Sequence, residues 1–193
     1  MQRVAVIGSS CAGKTTLASA IARIRGCPHI ELDAIHWKPD WVEAPLEEMR
    51  ERTQEAVSAE SWALDGNYSR VRDLVWARAT DVIWLNYDFP LVMSRALRRT
   101  VRRIATREEL YSGNRESLRM ALLDRESILW WVIRTHGRRR RDYRELCTRE
   151  NFPHIAFTEL RHPREADALV AALEASSGAT PAPAPPSAPG GAG

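Results

Sequence analysis

Eight consecutive residues near the N-terminus carry the strongest chemical signal in the chain. Residues 8–15 read Gly-Ser-Ser-Cys-Ala-Gly-Lys-Thr and fit the pattern G-x-x-x-x-G-K-[ST]. Glycine lets successive backbone N–H groups point toward one centre and bind phosphate oxygens, and the positive end of a following helix adds to the attraction. In such a loop Lys14 reaches the β- and γ-phosphates of ATP, and the Thr15 hydroxyl binds Mg²⁺. The predicted ATP-binding residues are Gly8, Ser9, Ser10, Cys11, Ala12, Gly13, Lys14, Thr15 and Thr16.

Two aspartates follow short apolar runs that read as strands. Asp65 comes after Trp-Ala-Leu and Asp33 after Ile-Glu-Leu. Ligands of open parallel sheets bind beyond the carboxyl ends of the strands, so Asp65 is expected to hold a water ligand of Mg²⁺ beside Thr15. Asp33 is expected to orient the group that attacks the γ-phosphoryl group, or to accept its proton. Asp-Gly is also a common turn dipeptide, and an aspartate can cap the next turn, so a purely local role stays open for both residues.

The basic residues are unevenly distributed. Arginine supplies 26 of the 28 basic residues, and residues 95–149 hold 16 arginines and seven acidic residues, a local charge of +9 on a chain whose remainder carries −6. Bidentate arginine suits the charge of a transferring phosphoryl group, so three or four of these side chains, Arg138 among them, are predicted to act in catalysis. The others are expected to face solvent or to form salt bridges. A polyanionic partner such as nucleic acid is the alternative reason for this charge.

Short β-type runs alternate with helical patterns along the chain. Strands are predicted at residues 4–7, 29–32, 62–64, 82–85 and 154–157. Helices are predicted at residues 15–25, 46–59, 90–104, within 115–150, and at 164–175. This alternation predicts an α/β fold, a parallel sheet with helices on both faces. The three tryptophans in or near apolar runs, Trp62, Trp76 and Trp84, are expected in the core.

Composition bounds the domain organisation. The chain has 193 residues, 44% hydrophobic and 27% charged, which suits one domain over residues 1–175. Residues 176–193 contain five prolines, four glycines and no charge, and are expected to form a disordered tail. The sequence has no apolar run of about 18 residues and no signal-peptide layout, and its three cysteines lack metal or disulfide spacing. A cytoplasmic protein without a membrane partner is expected, as a monomer or a homodimer.

Three segments together resemble a known family. Residues 8–15, residues 32–39 (Leu-Asp-Ala-Ile-His-Trp-Lys-Pro) and residues 62–68 (Trp-Ala-Leu-Asp-Gly-Asn-Tyr) are similar to those of adenylate-kinase-like P-loop kinases and, more narrowly, of the bacterial DNA topology modulation (FlaR-like) proteins. The resemblance spans roughly residues 1–175. It implies a five-stranded parallel sheet and an arginine-bearing lid within about residues 105–145.

The resemblance also suggests roles for particular residues. Arg95 and Arg99 match the i,i+4 arginine pair that these kinases use for base stacking and phosphate binding, and Asp65 matches the Asp-Gly of the third strand. The sequence departs from nucleoside monophosphate kinases after that Asp-Gly, where Asn67-Tyr68-Ser69-Arg70 replaces an aromatic residue, proline and arginine. A monophosphate pocket of the usual kind is therefore not expected.

These observations favour an ATP- and Mg²⁺-dependent kinase. The chain has no N-K-x-D guanine motif and no L-S-G-G-Q signature, so common GTPases and ABC-type ATPases are excluded. A small-molecule acceptor is expected, a nucleotide or nucleoside being one option, with Trp37 and Trp41 as possible stacking surfaces. The alternatives are an ATP-switched regulator associated with nucleic acid and a polynucleotide-end kinase. The predicted catalytic residues are Lys14, Asp33, Asp65, Arg95, Arg99 and Arg138.

Overall fold

A five-stranded parallel sheet forms the centre of the protein. The computed structural model describes residues 1–106, 128–148 and 150–178. The strands are β1 (Arg3–Gly8), β2 (His29–Glu31), β3 (Trp62–Asp65), β4 (Asp81–Leu85) and β5 (Ala156–Leu160). Their spatial order is β2-β3-β1-β4-β5, and every pair is parallel. The predicted α/β fold with a parallel sheet is confirmed.

Seven α-helices lie in the described ranges. They are α1 (Lys14–Arg25), α2 (Leu32–His36), α3 (Leu46–Ala56), α4 (Arg72–Arg78), α5 (Phe89–Thr106), α6 (Ile128–Leu146) and α7 (Pro163–Ser177). The sequence did not predict α2 and α4, because five and seven residues are too few to show a helical period. Within the described residues, none of the helices combines the length and the apolar character that crossing a membrane requires.

Most boundaries differ from the sequence prediction by one to three residues, and α3 ends at Ala56 and not at residue 59. The second strand ends at Glu31, so Asp33 lies in the first turn of α2 and not at a strand end. The fifth strand is Ala156–Leu160, two to three residues later than predicted, and includes polar residues that read as loop. As an edge strand, β5 has one neighbour, β4, and tolerates polar side chains.

Helix α7 runs to Ser177, two residues into the predicted tail. The rest of that tail from residue 179, and residues 107–127 of the predicted lid, lie outside the described residues.

The core is divided between the two faces of the sheet. One cluster packs Val6 and Ile83 against Ile21 of α1. The other contains Trp62, Trp76 and Trp84, which are 0%, 3% and 6% exposed. These three tryptophans confirm the prediction that they belong to the core.

The strand order creates a crevice at the end of β1. In the order β2-β3-β1-β4-β5, the connection from β1 runs toward the β2 edge of the sheet, whereas the connection from β3 runs in the opposite direction, toward β4. Such a reversal opens a crevice between the two neighbouring strands at their carboxyl ends, here those of β1 and β3. Residues 8–15 follow β1, and Asp65 ends β3. The fold therefore brings the two strongest sequence signals to one place.

Candidate active site

The predicted phosphate-binding residues form a continuous unit of strand, loop and helix. Residues 8–13 run from the last residue of β1 to the N-cap of α1, and Lys14, Thr15 and Thr16 form the first turn of that helix. Gly8 and Gly13 have φ angles of 150° and 101°, which side chains oppose. The first N–H groups of a helix have no partner within it, so they are available to an anion. The geometry is that of a phosphate-binding loop (P-loop).

Lys14 is influenced by charged side chains from several elements. It is half-buried, and its ammonium donates a hydrogen bond to the Ser9 carbonyl at 3.2 Å. Burial lowers the pKa of Lys14, while the carboxylates of Asp33 and Asp65 act in the opposite direction. The charges of Arg139 and Arg99 also lower this pKa, because a second cation disfavours the protonated amine. Side chains from α2, β3, α5 and α6 therefore act on one ammonium group.

Asp65 is buried beside the first turn of α1. Its residue is 3% exposed, and its backbone pairs with Val6 of β1. The Thr15 hydroxyl donates to Oδ1 at 2.9 Å, and His29 Nε2 lies 2.9 Å from Oδ2. Burial raises the pKa of the Asp65 carboxyl, and the hydrogen bond from His29 and the charge of Lys14 lower it. The structure thus places Asp65 next to Thr15, as the sequence predicted.

The pair formed by Thr15 and Asp65 fits a magnesium ion. A hydroxyl oxygen and a carboxylate oxygen meet at 2.9 Å where the phosphates of a nucleotide are expected. Mg²⁺ prefers oxygen ligands and binds through one or two such protein groups together with substrate phosphates and water. Thr15 would hold the ion directly, and Asp65 would hold it through water.

The three residues after Asp65 each contact a different part of the site. Gly66 has a φ of 139°, and a Cβ at this position would lie 2.6 Å from Leu32 Cβ, so only glycine allows α2 to approach β3 this closely. The Asn67 amide accepts from the Gly8 N–H at 3.1 Å and donates back to the Gly8 carbonyl. The Tyr68 hydroxyl donates to Asp33 Oδ1 at 2.6 Å. We call residues 65–68 the β3 segment.

Asp33 lies beside an aromatic cluster. The Trp37 N–H donates to the Asp33 carbonyl at 3.0 Å, so the two residues are one helical turn apart. The ring of His36 contacts those of Tyr68 and Trp37 at centroid distances of 4.5 and 4.6 Å. Trp41 meets Trp37 edge-on at 5.6 Å. Aromatic surface therefore adjoins the carboxylate that is predicted to receive the acceptor.

Arg95 and Arg99 project from α5 toward the P-loop. Arg95 Nη1 donates to the Ala12 carbonyl at 2.6 Å, and its guanidinium lies 5.4 Å from the centre of the Tyr87 ring. Arg99 is close enough for its charge to lower the pKa of Lys14. Its Nε is shut off from water and has no hydrogen-bond partner among the described residues. Arg95 thus holds the loop, and Arg99 adds positive charge near Lys14.

On α6, the structure favours a neighbour of the predicted arginine. Arg138 is exposed, whereas Arg139 is half-buried and acts on Lys14. The Arg139 guanidinium lies 5.5 Å from the centre of the Trp131 ring. Successive residues of a helix point about 100° apart, so a shift of one position changes which arginine faces the P-loop.

Sequence reasoning missed four residues of the site: His29, Asn67, Tyr68 and Arg139. The strand pattern predicts only that His29 begins a strand. The resemblance to nucleoside monophosphate kinases marks Asn67 and Tyr68 only as a departure. A signal did exist for Tyr68, because a polar aromatic residue just beyond a strand end is well placed to contact a carboxylate in the segment that follows the neighbouring strand. No comparable signal joined His29 to Asp65.

Comparison with known proteins supports the fold. No family model matches the chain, and no curated protein matches it in sequence. Among solved structures, the chain is similar to shikimate kinase from Acinetobacter baumannii in complex with shikimate, with a TM-score of 0.52, 16% identity and coverage of 90% of each chain. Shikimate kinase from Bacteroides thetaiotaomicron matches with a TM-score of 0.54 and 14% identity over 91% of this chain and 97% of the other. The FlaR-like resemblance has no counterpart among these matches and stays a prediction. The chain therefore has the α/β fold of P-loop kinases.

Proposed function

We propose that the protein is a kinase that transfers the γ-phosphoryl group of Mg²⁺-bound ATP to a small-molecule acceptor. The observation that carries this proposal is the contact between the P-loop and β3, where the hydroxyl of Thr15, the residue after Lys14, donates to the buried Asp65 carboxylate at 2.9 Å. The Asp65 carboxylate adjoins the Thr15 hydroxyl that would hold the metal, and the Asp33 carboxylate adjoins the aromatic cluster through Tyr68. This division separates a nucleotide side from an acceptor side.

On the nucleotide side, the chain binds phosphate mostly through backbone. The N–H groups of the P-loop and of the first turn of α1 bind the phosphates, and Lys14 contacts the β- and γ-phosphate oxygens. Mg²⁺ held by Thr15 and Asp65 would neutralise charge on those oxygens. Arg95 keeps the loop in place through the Ala12 carbonyl.

On the acceptor side, Asp33 orients a hydroxyl group. Tyr68 occupies Oδ1 of this carboxylate, which leaves Oδ2 to accept the hydroxyl proton. The hydroxyl oxygen then forms a bond to the γ-phosphorus while the bond from that phosphorus to the β–γ bridging oxygen breaks. ADP leaves with the bridging oxygen, and the proton passes to Asp33 and then to solvent.

The arginines offset the charge of the transferring group. Arg99 and Arg139 bring guanidinium groups toward Lys14 from α5 and α6. Positive charge on the γ-phosphoryl oxygens is the main electrostatic contribution to this chemistry. We therefore give Arg139 the role that the sequence predicted for Arg138.

The test is ADP release from Mg²⁺-ATP in the presence of a panel of acceptors. The panel contains sugars, cyclic alcohols, nucleosides, nucleoside monophosphates and oligonucleotides with free 5′ ends, and mass spectrometry identifies the phosphorylated product. We expect a small hydroxyl compound to stimulate turnover. A product found only with oligonucleotides would replace the proposal with a polynucleotide-end kinase.

Lys14→Ala and Lys38→Ala form a matched pair for this assay. They are the only two lysines of the chain, and Lys38 forms an ion pair with Glu48 at 2.5 Å. Lys14→Ala is expected to lower kcat/KM by at least about 100-fold, because it removes a cation aimed at the transferring group. Lys38→Ala should keep most of the activity. Turnover that survives in Lys14→Ala with unchanged circular dichroism would reject the proposed site.

A further inference from the structure

One side chain outside the P-loop contacts the buried Asp65 carboxylate directly. His29 Nε2 lies 2.9 Å from Asp65 Oδ2, on the side of the carboxylate opposite to Thr15. We propose that His29 is a positioning residue that fixes the Asp65 carboxylate and, through it, the Thr15 hydroxyl that faces Mg²⁺. This inference rests on the proposed function, since it assigns a role within the same site.

The Asp65 carboxylate needs a second donor to have a defined orientation. The torsion that turns a carboxylate about its Cβ–Cγ bond is broad, so one hydrogen bond to Oδ1 leaves the plane free to rotate. A donor on Oδ2 removes this freedom. It also satisfies an oxygen that is otherwise closed to water, because the side chain of Asp65 is only 4% exposed. His29 therefore sets the plane of the carboxylate.

The orientation of Asp65 controls the hydroxyl of Thr15. The Thr15 Oγ1–H group donates to Asp65 Oδ1 at 2.9 Å. A hydroxyl whose proton points in a fixed direction also has its lone pairs in fixed directions. With its proton held by Asp65, Thr15 directs its lone pairs away from the carboxylate, where they can bind a cation. The chain of contacts runs from His29 to Asp65, from Asp65 to Thr15, and from Thr15 to the metal position.

The backbone holds His29 in place independently of the nucleotide. His29 is the first residue of β2, and it pairs with Ala63 of β3 in the parallel sheet. Side chains alternate along a strand, so His29 and Glu31 share one face of β2 while Ile30 enters the core on the other. Glu31 Oε1 lies 3.9 Å from His29 Nδ1. The pairing of β2 with β3 thus fixes the backbone from which the imidazole reaches Asp65.

Binding of a nonhydrolysable nucleotide tests this role without turnover. Calorimetry measures the affinity for β,γ-imido-ATP with excess Mg²⁺ and again with EDTA, and the ratio of the two affinities is the gain due to Mg²⁺. Groups that orient metal ligands typically change metal affinity by 10- to 100-fold when they are removed. We expect His29→Ala to reduce the gain due to Mg²⁺ by about tenfold, with the affinity in EDTA within about twofold of the wild-type value.

Two further variants separate positioning from packing. His29→Gln offers an amide N–H at a reach similar to that of Nε2 and should keep most of the gain due to Mg²⁺. His154→Gln is the control, because His154 bonds the Trp76 carbonyl on a different part of the sheet, and it should behave as wild type. Thermal unfolding and circular dichroism establish that each variant is folded.

Several results would overturn the inference. In His29→Ala, these are a gain due to Mg²⁺ as large as in the wild type, or an equal loss of nucleotide affinity in Mg²⁺ and in EDTA. A gain due to Mg²⁺ that falls as far in His29→Gln as in His29→Ala would also overturn it. So would a wild-type protein whose nucleotide affinity does not rise with Mg²⁺. A protein whose gain depends on His29 but which phosphorylates no acceptor would uphold this inference and reject the proposed function. The two proposals therefore fail separately.

Discussion

Two groups of polar side chains converge on the P-loop, and the structure holds them in different ways. The β3 segment, residues 65–68, forms hydrogen bonds with Thr15, Gly8 and Asp33, among them contacts of 2.9, 3.1 and 2.6 Å. The second group, the arginine helices α5 and α6, brings Arg99 and Arg139 near Lys14. Arg139 rests on an aromatic ring, and Arg99 has a buried Nε without a hydrogen-bond partner among the described residues.

This difference shows which part of the site has its polar groups partnered within the protein, before any ligand binds. In the β3 segment each polar group contacts another polar group of the chain, so its geometry is set by folding. Around Lys14, the two arginines place like charges close together, and like charges repel. Under the proposed function, a triphosphate would relieve that repulsion and give the guanidinium groups their acceptors. The β3 segment is thus preorganised, whereas the arginine side would be completed by the nucleotide.

The largest expected effect breaks the preorganised side. Gly66→Ala places a Cβ 2.6 Å from Leu32 Cβ at a backbone φ of 139°. Overpacking and an unfavourable backbone conformation together should lower the free energy of unfolding by about 3 kcal/mol. Urea denaturation followed by circular dichroism measures this change.

Gly26→Ala is the matched control for that substitution. Gly26 also has a positive φ, 63°, but nothing lies within 4 Å of an added Cβ. Gly26→Ala should lower the free energy of unfolding by about 1 kcal/mol, which is the backbone contribution alone. If the two variants lose equal stability, the close approach of α2 to the β3 segment does not contribute and the comparison fails.

A smaller effect is expected on the arginine side. Arg139→Ala removes a charge near Lys14 and should weaken ATP binding by about 10- to 30-fold, the lower part of the range for a hydrogen bond to a charged group. It should leave the free energy of unfolding nearly unchanged, because relief of the repulsion with Lys14 offsets the loss of the contact with Trp131. Calorimetric titration with ATP measures the first quantity and urea denaturation the second.

The neighbouring arginine sharpens this prediction. Arg138→Ala removes the same charge from an exposed position of the same helix and should change ATP affinity by less than about twofold. A larger loss in Arg138→Ala than in Arg139→Ala would restore the assignment made from the sequence. It would also show that α6 turns when nucleotide binds.

A third effect, about five- to tenfold, is expected at the edge of the β3 segment. Tyr68→Phe removes the hydroxyl that donates to Asp33 Oδ1 and should lower kcat/KM for the acceptor by that factor, with ATP affinity unchanged. Steady-state kinetics with each substrate varied in turn measures the effect. In a double-mutant cycle, Tyr68→Phe should have little further effect on Asp33→Asn, because both changes act through one carboxylate. Additive losses would mean that Tyr68 acts elsewhere.

The two sides also differ in how far the sequence predicts them. The P-loop is contiguous, and its chemistry depends on backbone N–H groups, so eight residues suffice to identify it. Asp65 follows from its position at the end of a strand beside that loop. The contacts of His29 with Asp65 and of Tyr68 with Asp33 join residues 36 and 35 positions apart. They depend on the register between β2 and β3 and on the start of α2, which a strand pattern of three residues does not determine.

On the arginine side, the obstacle was the rotation of α6 about its axis. Val132 of this helix is fully buried, while its neighbours Trp131 and Ile133 are 43% and 49% exposed. Apolar residues therefore lie on more than one face of α6, and their pattern does not show which face meets the sheet. The pattern therefore does not decide whether Arg138 or Arg139 faces the P-loop. The prediction of the fold is less sensitive to shifts of one or two residues, because alternating strands and helices specify a parallel sheet even when single boundaries move.

The smallest predicted effect has the opposite sign and lies on the arginine side. Gly137 is inside α6, and nothing lies within 4 Å of a Cβ added there. Glycine within a helix is less stable than alanine by about 1 kcal/mol, so Gly137→Ala should raise the free energy of unfolding by about 0.5–1 kcal/mol. Thermal unfolding should show a rise of about 2–3 °C in Tm for a chain of this length.

Destabilisation by Gly137→Ala would mean that α6 is packed as tightly as the β3 segment, and the contrast between the two sides would be lost. Higher stability with slower turnover would mean that α6 must bend at Gly137, two residues before Arg139, for the arginine to reach the phosphates. Higher stability with unchanged turnover would show that α6 acts as a rigid support, on which only the arginine side chains move to meet the anion.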